Sequence, residues 1–231
     1  DTRMHPSAET SPYASTAAVA SYRDTAPLKV PGLADLHRMA MILLAEQAAD
    51  NAHILVVGAG GGMESLALAT AQPGWRFTGV DPSAAMLALA HQTLDPVIQR
   101  VTLIEGTVDH APAGPFDGAT CILTLHHLDR QQRLHTLQQI HGRLRPGARL
   151  VIAGHSAPEP DAEAWMTRSV AFGDRTGLDW ERSTATARMM RERLPLLSPT
   201  DEADMLEDAG FTDVGLFYAA FSFRGWVATA A

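Results

Sequence analysis

The chain has 231 residues and a formal net charge of −8, from 18 basic and 26 acidic side chains. This length suits one domain with an elaboration and allows a sizeable buried core. The negative charge disfavours a large nucleic-acid footprint, which needs clustered basic side chains against phosphates. Cys121 is the only cysteine, which excludes an internal disulfide, and no apolar run approaches membrane-spanning length. We therefore expect a cytoplasmic protein with neither a membrane nor a nucleic acid as partner.

The N-terminal part, residues 1–49, precedes the first predicted strand. Residues 1–15 are rich in Pro, Ser and Thr and are expected to form a mobile arm. A short helix over residues 16–22 and a longer one over residues 33–49 follow the arm. The main domain is predicted to occupy residues 50–231.

A glycine-rich turn between a predicted strand and a predicted helix is the most informative segment. The apolar run 54–57 stops at residues 58–62, Gly-Ala-Gly-Gly-Gly, and a helical pattern follows from Met63. Glycines let the backbone approach a ligand where a Cβ atom would clash. The free N–H groups of the first helical turn face the same place. The segment indicates a nucleotide-type binding corner, with a tight structural turn as the alternative.

An acidic residue follows at the spacing that a nucleotide site requires. The next apolar run, 75–80, ends at Asp81, 23 positions after Gly58. A carboxylate roughly 20 residues after the first glycine receives ribose hydroxyls, and the alternative is an Asp that caps the next helix. The third glycine of a dinucleotide fingerprint would fall at position 63, which is Met63. The ligand is therefore expected to differ from a dinucleotide.

Strand and helix patterns alternate along the rest of the chain. This alternation predicts a parallel sheet with helices on both faces, and a ligand at the strands' carboxyl ends between the first and fourth strands. An interruption at 155–197 carries large apolar side chains, and we expect a lid or a homodimer surface, with simple packing as the alternative. Strands are predicted over 53–57, 75–80, 100–105, 117–124, 148–154, 211–219 and 221–229, and helices over 63–71, 83–94, 129–144, 162–173, 178–194 and 199–209.

Five motifs occur in the order typical of one enzyme superfamily. They lie at residues 58–62, 79–86, 101–108, 116–123 and 144–152. Together they resemble the class I S-adenosylmethionine-dependent methyltransferases over about residues 50–155. The resemblance implies a Rossmann-like, doubly wound seven-stranded α/β sheet, mostly parallel with an antiparallel last strand, plus N-terminal helices and a helical insertion after strand five. It also implies S-adenosyl-L-methionine as cofactor and S-adenosyl-L-homocysteine as product.

A closer resemblance comes from the two ends of the chain. Val-Pro-Gly at 30–32 and the segments 209–211, 216–218 and 221–228 are similar to the group containing carboxy-S-adenosylmethionine synthase, an enzyme of tRNA wobble-uridine modification. Three functions follow from these resemblances. The leading one is methyl transfer to a small-molecule acceptor. The alternatives are a cofactor-modifying enzyme of the synthase type and a non-catalytic S-adenosylmethionine-binding scaffold.

The superfamily resemblance assigns cofactor contacts by position in the motifs. It implies that Gly58, Ala59 and Gly60 contact the methionine and ribose, and that Asp81 binds the ribose hydroxyls. It places Pro82, Ser83 and Met86 beside the adenine, and Thr107 and Val108 at the adenine amino edge. It places the backbone at Leu123 and Thr124 at the methionine ammonium.

The sequence departs from the superfamily pattern at two positions. An acid often stands two residues before the first glycine, where this chain has Val56, and Glu64 is a candidate for part of that work. The alternative for Glu64 is a carboxylate favoured by the helix N-terminus. An Asp often follows the glycine of the third motif, where this chain has Thr107, which predicts a weaker adenine contact.

Histidines near the strand ends are the catalytic candidates. His126 follows the fourth strand and His155 the fifth, and histidine takes up a proton near neutral pH. Structural or capping histidines are the alternative. No cysteine or acid cluster has metal-ligand spacing, so no metal is predicted.

The candidates for substrate binding are spread over three segments. They are His127 beside the catalytic pair, Tyr22 and Arg23 before the Val-Pro-Gly segment, and Arg188 and Arg191 in the insertion. For the insertion arginines the alternative is a solvated charged face, and for Tyr22 and Arg23 it is an ordered surface arm.

Overall fold

The computed structural model describes residues 16–231, and the mobile arm predicted for residues 1–15 lies outside them. Within the described residues, seven strands form one sheet. The strands are β1 (His53–Val57), β2 (Arg76–Asp81), β3 (Val101–Glu105), β4 (Phe116–Ile122), β5 (Leu144–His155), β6 (Phe211–Ala220) and β7 (Phe223–Ala230). The helices are α1 (Thr16–Lys29), α2 (Leu33–Ala45), α3 (Met63–Ala71), α4 (Ala84–Thr93), α5 (Arg130–His141), α6 (Ala162–Gly173), α7 (Trp180–Arg193) and α8 (Pro199–Asp208).

The strand order is β3-β2-β1-β4-β5-β7-β6. The five strands from β3 to β5 pair in parallel, and β7 is antiparallel to both β5 and β6. The predicted fold class is therefore confirmed, including the antiparallel last strand. The chain passes from β1 to β2 on one side of β1, whereas β4 lies on the other side of β1. The connections therefore diverge at the carboxyl ends of β1 and β4. A crevice forms at such a switch point, and it positions the candidate site.

Each face of the sheet is covered by its own apolar core. On one face, α2 and α3 bury Leu36, Leu44 and Leu68 in one cluster with side chains of β1, β2, β4 and β5. On the other face, α5 and α8 bury Leu137 and Leu206 in a cluster with side chains of β4, β5, β6 and β7. Two buried faces explain why the central strands are continuous apolar runs without polar alternation.

Several element ends differ from those predicted. Helix α1 continues past the predicted end at residue 22 and ends at Lys29. Pro27 lies in its last turn, where the N–H donor that proline lacks removes only one hydrogen bond near the helix end. Helix α2 stops at Ala45 because Glu46 and Gln47 turn back to bond to its last carbonyls. Strand β5 starts at Leu144, four residues early, because Leu144 pairs with Phe116 before a register shift.

The N-terminal helices are held by segments from the far end of the chain. The Tyr218 hydroxyl in β6 donates to the backbone carbonyl of Pro31, between α1 and α2, over 2.7 Å. Arg175, after α6, donates to the carbonyl of Leu28 at 3.3 Å. The cover over the carboxyl ends of the strands is therefore assembled from both ends of the chain.

The insertion at 155–197 is a pair of helices, α6 and α7. Helix α6 packs on the domain, because Ser169 is buried and shares a hydrogen bond with Ser222 before β7 at 2.7 Å. Helix α7 packs mainly on α6 and buries only Ser183 and Ala187. Large apolar side chains stay exposed there, at Leu178, Trp180 and Met189. The lid and homodimer roles of this segment stay predictions. From residue 16 onward, none of the helices is long and apolar enough to cross a bilayer.

Arg100 closes the end of α3. Its guanidinium donates to the carbonyls of Ala69 at 2.8 Å, Gln72 at 3.2 Å and Trp75 at 2.8 Å. The last carbonyls of a helix have no partner within the helix, so a cation that binds them satisfies acceptors and complements the helix dipole.

We predict that Arg100→Met lowers the free energy of unfolding by about 1.5–3 kcal/mol, because hydrogen bonds from a charged donor are lost. Urea denaturation followed by circular dichroism measures the change. Arg38→Met, at an exposed position on α2, is the matched control and should stay within about 0.5 kcal/mol of the parent. A loss for Arg100→Met as small as that of the control would contradict the prediction.

Candidate functional site

A cleft opens where the glycine turn meets the ends of β1 and β4. Gly58, Gly60 and Gly62 all adopt left-handed backbone conformations, with φ of 73°, 56° and 86°. A Cβ atom on Gly58 would lie 2.0 Å from the Thr124 hydroxyl oxygen. The cleft is lined by Tyr22, Leu33, His37, Gly58, Ala59, Gly60, Gly61, Gly62, Met63, Glu64, Ile122 and Leu123. Glycine is therefore required at these three positions by the backbone conformation, and at Gly58 also by the close approach of the Thr124 side chain.

Asp81 ties the glycine turn to the next turn of the sheet. Its two carboxylate oxygens accept hydrogen bonds from the backbone N–H groups of Gly60 and Ser83, both at 2.9 Å. Burial raises the pKa of Asp81, while the hydrogen bonds from Ser83 and Gly60 act to lower it. Each carboxylate oxygen accepts more than one hydrogen bond, so this group retains capacity for ligand hydroxyls.

The chain bends sharply where β4 ends beside the turn. Leu123 has a φ of 59°, a left-handed conformation that is uncommon for a residue with a branched side chain. Its N–H donates to the carbonyl of Ala153 at 2.7 Å. Thr124 then packs against Gly58 and donates its hydroxyl to the carbonyl of Ile122 at 3.2 Å. Such strained positions persist where surrounding structure holds them, often at ligand sites.

The predicted adenine-side residues surround the start of α4. Ser83 caps this helix by accepting the N–H of Met86 at 3.2 Å, and Pro82 is exposed. Met86 is buried against Val19 of α1. A Cβ atom on Gly60 would lie 3.4 Å from the Met86 methyl, so Met86 does lie beside the glycine turn.

The third predicted motif lies after β3. Thr107 is exposed, and its hydroxyl donates to Asp109 at 3.3 Å. The Thr107 N–H donates to the ring of His110 at 3.2 Å. Val108 is buried in the core. Neither residue lines the cleft in this structure, and the adenine contact predicted for them is untested.

Two titratable side chains inside the cleft are both buried. Glu64, at the start of α3, accepts a short hydrogen bond from the Thr120 hydroxyl, and burial raises the pKa of Glu64 to about 7. His37 lines the opposite wall from α2, and burial lowers its pKa to about 4. Sequence reasoning did not single out His37. The available signal was a histidine within the buried stripe Leu33, Leu36, His37, Ala40 and Leu44 of α2.

The two N-terminal candidates, Tyr22 and Arg23, make different contacts. Tyr22 lines the cleft, and its ring would lie 3.5 Å from a Cβ atom on Gly61. Arg23 donates to the Thr93 hydroxyl of α4 at 3.3 Å. Arg23 therefore anchors α1, and Tyr22 is the one that faces the ligand position.

His126 and His155 line a second cavity, between β5, β7, α5 and α8. This cavity also contains Arg133 and Glu202, both buried, which lie 3.9 Å apart. Glu202 accepts the indole N–H of Trp226 at 2.8 Å, and burial raises its pKa to about 7. Sequence reasoning missed this pair, because α5 and α8 are polar helices in which one buried charge gives no pattern.

The hydrogen bonds of His126 decide its proton position. Its Nδ1 accepts the backbone N–H of His155 at 2.9 Å, so the neutral ring carries its proton on Nε2. Burial, with His127, His155 and Arg133 nearby, lowers the pKa of His126 well below 6.5. The one lone pair of the neutral ring is thus already occupied. This geometry favours the structural alternative for His126.

His155 is the better placed of the two catalytic candidates. Its Nδ1 lies 2.8 Å from the Ser222 hydroxyl, its ring stacks on Phe223, and burial lowers its pKa to about 4. With Nδ1 as donor to Ser222, the Nε2 atom would carry the free lone pair. His127 is exposed, and its ring centroid lies 4.4 Å from that of His126.

The insertion arginines point towards a shared acid on α6. Arg188 makes a two-pronged contact with Glu163, with N···O distances of 3.1 and 3.0 Å. Arg191 lies 4.0 Å from the same carboxylate. The Arg188 side chain is 62% exposed. Exposed ion pairs of this kind contribute little to stability, so little holds Arg188 to Glu163.

Among residues 16–231, no group of three or more His, Cys, Asp or Glu side chains is arranged to hold a metal ion. Burial raises the pKa of the Cys121 thiol, which lies inside β4.

Known proteins share both sequence and fold with this chain. Residues 55–150 match the family described as "Methyltransferase domain". The carboxy-S-adenosyl-L-methionine synthase of Chromohalobacter salexigens is 27% identical over 217 residues, which cover 91% of this chain and 80% of that protein.

Solved structures agree with this assignment at the level of fold. A candidate O-methyltransferase from Nostoc punctiforme superposes with a TM-score of 0.67 at 18% identity, over 91% of this chain and 59% of its own. Human N-acetylserotonin methyltransferase, solved in complex with S-adenosylmethionine, superposes with a TM-score of 0.64 at 16% identity, over 99% of this chain and 60% of its own. This chain thus spans about three-fifths of either structure. Residues 55–150 thus match a methyltransferase-domain family, and the chain has the fold of S-adenosylmethionine-dependent methyltransferases.

Proposed function

We propose that the chain transfers a methyl group from S-adenosyl-L-methionine to a small-molecule acceptor and releases S-adenosyl-L-homocysteine. The observation that carries this proposal is the Asp81 carboxylate, fixed at the glycine turn by the N–H groups of Gly60 and Ser83. A carboxylate there binds the two ribose hydroxyls. The domain match over residues 55–150 supports the same activity.

The cleft suits this cofactor in shape and in chemistry. The glycine turn lines this cleft, and its backbone would form the wall against the methionine and ribose. The Leu123 backbone, held in its left-handed conformation, would present a carbonyl to the ammonium. Tyr22 would close the cleft from α1 and exclude water.

Bound cofactor would supply an electrophilic methyl group on a sulfonium, and the C–S bond breaks as the acceptor attacks. The chain would contribute position above all, which is worth up to roughly 7–11 kcal/mol in favourable cases. An acceptor that loses a proton also needs a base, and His155 is proposed for that role through Nε2. Because burial lowers the pKa of His155 to about 4, it would be neutral but weakly basic near pH 7, and its contribution should fall below the roughly 10²–10⁴-fold of a base tuned to the working pH.

A second candidate function is the handling of carboxy-S-adenosylmethionine, as its synthase or as its user. The similarity to the synthase over 91% of the chain favours it. Arg188 and Arg191 are the residues that would bind the added carboxylate. Since the ion pairs with Glu163 are exposed, exchanging Glu163 for a ligand carboxylate costs little. The non-catalytic scaffold is the third candidate, and retained cofactor without turnover would favour it.

The insertion is proposed as the lid of the acceptor pocket or as a homodimer surface. The exposed apolar side chains Leu178, Trp180 and Met189 support this proposal, because large apolar side chains at the surface are available for an interaction. A cytoplasmic location, with no nucleic-acid partner, is proposed from charge and composition.

We predict that S-adenosylmethionine and S-adenosylhomocysteine stabilise the protein in a thermal-shift assay, whereas NAD does not. Met63 occupies the position where a dinucleotide site needs glycine. A ligand at about 100 times its Kd stabilises the folded state by about 2.7 kcal/mol. Stabilisation by NAD alone would contradict the proposed function.

We predict that Asp81→Ala weakens S-adenosylhomocysteine binding by at least about 100-fold, since two hydrogen bonds to a charged carboxylate contribute roughly 1.5–3 kcal/mol each. Isothermal titration calorimetry measures the affinity, and circular dichroism checks that the fold survives. Asp204→Ala, at an exposed position on α8, is the control and should bind like the parent. Unchanged affinity in Asp81→Ala would rule out this ribose contact.

We predict that Arg188→Met and Arg191→Met weaken carboxy-S-adenosylmethionine roughly tenfold, because a charge-assisted hydrogen bond to its carboxylate is lost. Binding of unmodified S-adenosylmethionine should change much less. Arg193→Met, exposed on the same helix, is the matched control. Equal, small effects on both ligands would identify these arginines as a solvated face and leave plain methyl transfer as the better proposal.

A further inference from the structure

The cleft contains a buried carboxyl group that has no cationic partner in the described part of the chain. Glu64 is 8% exposed and lines the cleft together with the glycine turn. It accepts a hydrogen bond from the Thr120 hydroxyl of β4. No lysine, arginine or histidine among residues 16–231 forms an ion pair with it. Burying a carboxylate without a cation costs free energy. The group is therefore expected to be protonated in the free protein, or to pair with a cationic group of a bound ligand.

The position of this carboxyl group follows from the strand register. Thr120 of β4 is the register partner of Val56 in β1, and side chains at paired positions of parallel strands lie on the same face. Glu64 reaches Thr120 from α3, so its carboxyl group lies in the side-chain layer of Val56, two residues before Gly58. It therefore lies beneath the turn, on the side where the methionine moiety is proposed to bind.

We propose that Glu64 binds the α-ammonium of the cofactor's methionine moiety, and that cofactor binding releases the proton which Glu64 holds in the free protein. This inference rests on the proposed function. Thr120 is a positioning residue in this scheme, because its hydroxyl fixes the direction of the carboxyl group. On binding, the carboxyl O–H ionises, the proton passes to solvent, and the carboxylate pairs with the ammonium.

The charge state of the free protein agrees with this scheme. Burial raises the pKa of Glu64 to about 7, although the Thr120 hydroxyl acts to lower it. Below that pH the ligand must displace a proton, so affinity falls by up to about tenfold for each pH unit below 7. Above it the carboxylate is already formed, and affinity levels off until the ligand's own amino group loses its proton, near pH 8.

Other titratable groups around the cleft are distinguishable from Glu64. His37 and Tyr22 line the facing helices, Cys121 follows Thr120 on β4, and Asp81 stands at the far end of the turn. Burial lowers the pKa of His37 to about 4 and raises that of Cys121, so neither titrates near neutral pH. Asp81 also has a raised pKa, and the variants below separate it from Glu64.

The test compares three ligands that differ in positive charge. S-adenosylmethionine carries an ammonium and a sulfonium, S-adenosylhomocysteine carries the ammonium alone, and methylthioadenosine carries neither. Calorimetry between about pH 6 and pH 8 gives each affinity. We expect Glu64→Gln to weaken the first two ligands alike, by about 10- to 100-fold, and to leave methylthioadenosine within about twofold. The pH dependence should also disappear. Glu207→Gln, at an exposed position on α8, is the matched control and should bind like the parent.

Two further measurements keep the inference testable if Glu64→Gln folds poorly. In the parent protein near pH 6, binding of S-adenosylhomocysteine should release about one proton, measured in buffers of different ionisation enthalpy. Thr120→Val removes the hydrogen bond that lowers the Glu64 pKa, so the fall in affinity should begin at higher pH.

Three outcomes would overturn the assignment. If only S-adenosylmethionine is weakened, the carboxylate faces the sulfonium instead. If all three ligands, or none, are affected in Glu64→Gln, the side chain has a structural role. If no proton is released by the parent, Glu64 is already ionised. A parent that binds none of the three ligands would instead refute the proposed cofactor itself, before any variant is measured.

Discussion

The carboxylate of Asp81 is the contact on which the candidate site depends. It ends β2, yet its two oxygens bind the N–H groups of Gly60, in the turn after β1, and of Ser83, in the turn before α4. One side chain therefore fixes two loops relative to each other. The N–H groups of Gly58 and Ala59 add to this contact, because both donate to the carbonyl of Val80 at 2.9 Å. The geometry of the cleft thus follows from a hydrogen-bonded anion at a strand end.

Two polar systems lie on either side of β4 and remain separate. On the α3 side, Glu64 and Thr120 belong to the cleft, and on the α5 side, His126 and Glu202 line the second cavity. In both systems burial shifts the pKa values towards the neutral form of each side chain. Near neutral pH, His126 is neutral and Glu64 and Glu202 are close to the middle of their titration, whereas Arg133 keeps its charge. Each charge that a ligand brings would be weakly screened there, so specificity for charge is expected to be high.

The sequence was sufficient for the parts of the molecule that are governed by local patterns. The turn at Gly58, the strand ending at Asp81 and the antiparallel last strand lie where periodicity and resemblance put them. Helix ends were less predictable, because contacts distant in sequence set them, as at the start of β5.

The same distinction applies to the candidate site. The occupied lone pair of His126 depends on how β4 and β5 end beside each other. The contact between Glu64 and Thr120 joins residues 56 positions apart. Arg133 and Glu202 meet only because α5 and α8 cover one face of the sheet. The order of residue types along the chain does not predict these three contacts, because each contact depends on strand register or on helix packing.

The hydrogen bond from Tyr218 to the carbonyl of Pro31 has a consequence for biosynthesis. It joins positions 187 residues apart, so the ribosome has made nearly all of this sequence before the contact is available. Contacts of such long sequence separation form late in folding, because a large loop must close first. The central strands can therefore pair while α1 and α2 still lack their final anchor. During translation, the segment between α1 and α2 would stay without this anchor until β6 has emerged.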